Sequence, residues 1–194
     1  MSLPFIETFK GMITSPGETI RSSRSGTLGD SIIYFLLVVI IYSVLSTAIA
    51  LLIGPVNPMP LSPGGDIAAA FGFIIALVIF GTISLLFAGA IIHICSKIVG
   101  GKGDYTATVR AFSLSETPMA AIGWIPFLGF LAPIWGLILM VMGIRDYHDI
   151  STIRAVIAVL LPAIVIIILA MLGLMYFMID PTSVTVTEIP SVTV

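Results

Sequence analysis

The chain has 194 residues, 58% of them hydrophobic and 9% charged, with eight Lys and Arg against ten Asp and Glu and a formal net charge of -2. A soluble core of this composition would leave too little polar surface to cover it, and a near-neutral balance with no basic stripe excludes nucleic-acid binding. Cys95 is the only cysteine, so no intrachain disulfide forms.

The basic residues fall in three short stretches, 1–30, 97–110 and 145–154, and the long apolar runs between and after them carry none. Lys and Arg flanking spans stay on the cytoplasmic side. The distribution therefore predicts an all-α integral membrane bundle of five transmembrane helices with a cytoplasmic N-terminus and an external C-terminus. The spans are placed at about 31–53, 67–95, 105–125, 131–147 and 154–179, against the ~20 apolar residues that cross a hydrocarbon core. No apolar stretch with a small-residue cleavage site precedes residue 30, so the first span serves as its own membrane signal.

Residues 1–30 read as a cytoplasmic amphipathic segment. Leu3, Ile6, Phe9 and Ile13, with Phe5 and Met12 alongside, recur at helical spacing, the pattern of a short helix lying in the headgroup plane. Ser15-Pro16-Gly17-Glu18 has the form of a capping box and predicts a second short helix carrying Arg21 and Arg24. The first span ends at Gly54-Pro55, and Asp66 caps the second after an outer loop rich in Pro and Gly. Gly72, Gly81, Ser84, Ala88 and Gly89 of the second span include small residues four or eight apart. That spacing lets helices approach closely, or merely dilutes side-chain bulk.

The inner loop 96–103 contains Gly100-Gly101-Lys102-Gly103 but has neither nucleotide-binding glycine spacing; it reads as a flexible turn beside anionic headgroups. Asp104 caps the third span, the least apolar, where Thr106, Arg110, Ser113 and Thr117 form one polar stripe with Glu116 on its flank. Such a face belongs inside the bundle. Pro118 predicts a kink that strips the Leu114 carbonyl of its amide, with the hydroxyls of Ser115 and Thr117 in position to compensate. Residues 124–130 form an aromatic outer turn, the short fourth span follows, and Ser151 caps the fifth, with Arg154 in its first turn. Residues 180–194 are read as an external, disordered tail.

An intramembrane carboxylate is expensive and marks a functional hypothesis, which makes Glu116 the sharpest residue. Arg110 lies six residues away on a different helix face, so the two do not pair directly within a regular helix. The candidate intramembrane polar site is Glu116, Arg110, Ser113, Thr117 and Thr106. Lys97, Lys102, Arg145, His148 and Arg154 form the candidate cytoplasmic face. His93, Cys95, His148 and Asp149 lack compact metal-ligand spacing, and a lone interfacial histidine usually titrates at the surface. No nucleophilic constellation is present, so no catalytic, metal or cofactor site is expected.

From the inner loop onward the chain resembles the Yip family of polytopic membrane proteins, named for Ypt/Rab-interacting proteins, and its prokaryotic members in particular. Gly100-Gly101-Lys102-Gly103 with Tyr105, Ser115, Pro118, Ile125-Pro126, Gly129 and Trp135 carry the resemblance. Gly143-Ile144, His148, Ile150-Ser151 and Arg154-Ala155-Val156 continue it, and Ser15-Pro16 fits the N-terminal pattern. The resemblance implies a five-span bundle and, from eukaryotic members, roles in vesicle trafficking, Rab-type GTPase binding and membrane shaping. GTPase binding is not carried over, because the chain lacks the Asp-Leu-Tyr-Gly-Pro element of the eukaryotic cytoplasmic region.

Two functional readings follow. The first is a non-enzymatic, membrane-organising scaffold or adaptor in a prokaryotic cell membrane. Its partners are anionic lipid headgroups at the cytoplasmic face and a membrane protein or second copy of the chain. The alternative is a small ion, proton or solute transporter or channel built on the polar third span around Glu116.

Overall fold

The computed structural model describes residues 4–53 and 67–179, and all regular structure among them is helical. Seven α-helices follow one another: α1 (Phe5–Thr14), α2 (Pro16–Ser22), α3 (Leu28–Ile53), α4 (Ile67–Ile98), α5 (Tyr105–Ser115), α6 (Leu131–His148) and α7 (Thr152–Ile179). A 3-10 turn (Ser23–Ser25) precedes α3, and a π turn (Met119–Gly123) lies between α5 and α6. The first-span terminus at Gly54-Pro55, the Asp66 cap and the 180–194 tail lie outside the described residues.

Three helical stretches, Leu28–Ile53, Ala70–Ile98 and Thr152–Met175, are long and apolar enough to cross a bilayer, where the sequence leads one to expect five. The other two segments differ for local reasons. The third breaks at Glu116, and α6 has only 18 residues, the last four of them Arg145, Asp146, Tyr147 and His148. The long helices expose rows of large apolar side chains, among them Phe71, Phe80 and Phe87 on α4 and Ile167, Leu169 and Met171 on α7. Soluble monomers do not present apolar surface on this scale. Hydrocarbon is its natural solvent.

α5 is the centre of the bundle, packed against α3, α4 and α6. Its approach to α6 runs over glycines: a Cβ at Gly143 would stand 2.8 Å from Ala111 Cβ, and one at Gly136 would stand 2.8 Å from the Ser115 carbonyl oxygen. Two apolar helices gain little by excluding lipid, so close contact of small residues is the stronger source of attraction. On α4 the small residues divide. Gly81 faces Phe35 and Gly89 faces Val109, while a Cβ at Gly72 would meet nothing.

The N-terminal segment is part of this core. Met12 and Ile20 are fully buried, and Phe5 packs its ring 5.4 Å from that of Tyr34 on α3. The inward line is Phe5, Thr8, Phe9 and Met12, while Ile6 and Ile13, expected on the membrane face, stand exposed. The capping box does not form, because the Ser15 side chain makes no cap hydrogen bond, although Pro16 does open α2. Thr19 Oγ1 bonds the Ser15 carbonyl instead, at 3.0 Å. Arg24 lies in the 3-10 turn rather than on α2.

Candidate functional site

The charged end of the bundle is built where α2, the loop 99–104 and the α6–α7 junction meet. Arg21 pairs with Asp146 at 3.4 Å, Arg145 with Asp146 at 2.7 Å, and Arg24 with Asp149 at 2.9 Å. Asp149 ends α6 in the left-handed conformation (φ 51), a cap that short polar side chains tolerate. Lys97, Lys102 and Arg154 are exposed here and Arg145 is partly covered. His148 is not on this face; its side chain has 0% exposure.

His148 is enclosed by the glycine-rich loop. The Lys102 amide donates to the His148 carbonyl at 2.9 Å, and a Cβ at Gly101 or Gly103 would stand 2.8 or 3.0 Å from ring atom Nδ1. Each of those Cβ atoms would also stand 2.7 Å from a backbone carbonyl oxygen. The loop is glycine-rich because an imidazole fills the space where side chains would go. No phosphate-binding geometry is needed to account for it.

On its other edge His148 Nε2 lies 2.8 Å from Thr108 Oγ1, which lies 3.0 Å from His93 Nδ1. His148 Nδ1 is buried without a partner, and the Thr108 hydroxyl, which also donates to the Asp104 carbonyl at 3.4 Å, has one proton to share among its neighbours, so the ring tautomers set which nitrogen donates. Thr108, absent from the sequence-level candidates, joins two histidines read there as separate interfacial residues. Their helical register alone gave no sign of a shared hydroxyl.

α5 begins as expected, with the Asp104 carboxylate accepting from the Ala107 amide at 2.7 Å. The stripe that follows is covered: Arg110, Ser113 and Thr117 are buried and Thr106 partly so. Ser113 Oγ donates to the Val109 carbonyl at 2.8 Å. Arg110 is 3% exposed, donates through Nη1 to the Arg24 carbonyl at 2.5 Å, and holds its Cζ 5.6 Å from the centre of the Tyr147 ring. It makes no ion pair with Glu116 or with any other described carboxylate.

The helix breaks where the proline predicts. α5 stops at Ser115, Glu116 forms a turn, and the chain resumes as the π turn after Pro118. Thr117 Oγ1 donates to the Leu114 carbonyl at 2.7 Å, the compensation that the freed carbonyl requires. Glu116 sits partly covered between two mainly apolar cavities of about 220 and 260 Å³, the first against α3 and α4, the second against α6. No described residue hydrogen-bonds its carboxyl.

Residues 10–175 match the Yip1 domain family, a stretch running from α1 through most of α7. The chain belongs to the Yip1 domain family. No curated protein and no solved structure matches it. Family and apolar helices together make it an integral membrane protein. Several of the residues that signalled the Yip resemblance have structural roles: Gly101 and Gly103 enclose the His148 ring, Gly100 (φ 93) lies beside Arg154, and Gly143 lets α6 reach α5.

Proposed function

We propose that this Yip1 protein is a non-enzymatic scaffold or adaptor that organises the membrane around it. In this reading α5 with its π turn, and α6, cross the bilayer as the third and fourth of five segments. The charged end then faces the cytoplasm, the 124–130 turn and the C-terminus lie outside, and the membrane is that of a prokaryotic cell. The supporting observation is the burial of the third segment: its stripe residues bond to their own backbone or to neighbouring helices rather than line an open channel. What the protein offers outward is apolar helix surface and a charged, ion-paired end, a surface for lipids, a membrane-protein partner or a second copy.

Glu116, placed between two cavities, gives the transport alternative its one point of support. Reconstituted proteoliposomes decide between the two. The expected result is no proton or ion flux above protein-free vesicles for wild type and Glu116→Gln alike, with photo-crosslinkers at Lys97 and Lys102 giving one discrete adduct in cells. Flux that Glu116→Gln abolishes would establish the transporter and end the scaffold reading.

A further inference from the structure

Glu116 has nothing to compensate its carboxyl. No described residue hydrogen-bonds it, and no charged side chain acts on it electrostatically. Arg110, the nearest basic residue along the chain, is engaged by the Arg24 carbonyl and by the charge of Asp30. The carboxyl is nonetheless within reach: the residue is only partly covered, and neither of its oxygens is among the sealed, unpartnered atoms. A carboxylate held away from water calls for a cation with hydrogen-bond donors.

The space for one lies beside it. Phe112, Glu116 and Met119 form the wall between the two cavities, and Glu116 is the one charged residue in either lining. The two differ in chemistry. The cavity of about 220 Å³ is aromatic, with Phe35 and Tyr42 joining Phe112, whereas the one of about 260 Å³ has no further ring. The aromatic cavity opens beside Ser84, which is exposed at helical spacing between Phe80 and Phe87, each 70% exposed. Its mouth is therefore on the face of α4 that meets hydrocarbon. In the topology proposed above, Glu116 stands about twelve residues beyond the Asp104 cap, roughly 18 Å at ~1.5 Å per residue. That is near the middle of a core about 30 Å thick, out of reach of a headgroup ammonium.

We propose that the aromatic cavity binds a lipophilic amine, its protonated nitrogen on the Glu116 carboxylate and its apolar body against Phe35, Tyr42 and Phe112. A cation bearing N–H donors makes the short, strong bonds that a carboxylate accepts, and aromatic faces attract positive charge. The volume lies below the about 300–1,000 Å³ of sites for drug-sized ligands, so the occupant is small, a single ring on a short chain. Arrival through hydrocarbon selects the same kind of molecule. The site goes beyond the scaffold reading and does not fall with it, because binding is read in detergent and flux in vesicles.

The test uses the full chain in detergent, with thermal unfolding followed by the fluorescence of Trp124 and Trp135. The probes are 2-phenylethylamine and its uncharged counterpart 2-phenylethanol; saturable stabilisation gives each affinity. Wild type should bind the amine, and the alcohol at least about tenfold more weakly, the effect of a hydrogen bond to a charged group. Glu116→Gln, which keeps the shape and removes an uncompensated charge, should weaken the amine by at least about tenfold and leave the alcohol unchanged. Ser84→Phe, at the exposed mouth, should abolish amine binding, while Leu137→Phe, on the rim of the other cavity, should preserve it. The proposal is overturned by a response that does not saturate, by equal affinity for amine and alcohol, or by amine binding that survives Glu116→Gln. Loss with Leu137→Phe and retention with Ser84→Phe would overturn it as well, by placing the amine in the wrong cavity.

Discussion

The Tyr34 hydroxyl of α3 lies 2.7 Å from Oγ1 of Thr117, just beyond the break in the third segment. Because Thr117 gives its own proton to the Leu114 carbonyl, Tyr34 must be the donor, and a helix defect created by Pro118 is tied through two hydroxyls to another helix. The order of these bonds makes the two residues unequal. Thr117→Val removes both bonds and leaves the phenol unsatisfied, whereas Tyr34→Phe removes one. Thermal unfolding in detergent should show a loss of roughly 1–3 kcal/mol for Thr117→Val and of about 0.6 kcal/mol for Tyr34→Phe. Equal losses would mean that the relay does not carry the break.

The enclosed histidine makes the glycine loop sensitive to a single methyl. Gly101→Ala or Gly103→Ala should destabilise the protein by about 1–3 kcal/mol, the usual range for overpacking, since neither the imidazole nor the facing carbonyl can retreat far. Gly72→Ala and Gly173→Ala, where an added Cβ meets nothing, serve as controls. They should leave the melting temperature unchanged or slightly raised, because alanine favours helix by about 1 kcal/mol.

The contact of Gly143 with Ala111 is open to a double-mutant cycle. Gly143→Ala forces two Cβ atoms together and should destabilise by about 1–3 kcal/mol. Ala111→Gly removes the opposing methyl and should recover about 1 kcal/mol of that loss when the two are combined. Strict additivity would show that α5 and α6 do not meet at this point.

Several of these features were legible in the sequence and others were not, and distance along the chain separates them. Asp104 and Ser151 act as caps, Pro118 ends α5, and Thr117 compensates, all from interactions within four residues. The burial of the stripe followed from its periodicity. His148, by contrast, looks like a surface residue until the loop forty-odd positions earlier is folded over it. The apolar spacing of α1 identified a helix, but which of its apolar residues pack inward was not legible, because Tyr34 and the α2 helix supply the surface that Phe5, Phe9 and Met12 meet. Gly136 passed unnoticed and Gly143 entered only through the family resemblance, since seven-residue spacing on α6 has meaning only opposite Ala111 and Ser115.

The exposed pair of Arg24 and Asp149, with both side chains about half accessible, should contribute little. Asp149→Asn is expected to change stability by less than about 1 kcal/mol, and any effect should fade as salt is raised from 0.05 to about 0.5 M. A large, salt-independent loss would show that Asp149 acts through its left-handed backbone conformation rather than through its charge.

The docking of α1 and α2 also constrains the timing of assembly. These helices are synthesised before the rest of the bundle, and the residues that hold them arrive at different times: Tyr34 soon after, on the first long helix, but Asp146 and Asp149 only with the end of α6, a separation of 125 residues for Arg24 and Asp149. During synthesis the ion pairs of Arg21 and Arg24 must wait until the chain has passed residue 149. Closure of the charged end is therefore a late step of assembly, and a chain arrested before α6 is complete would carry both arginines without their carboxylates.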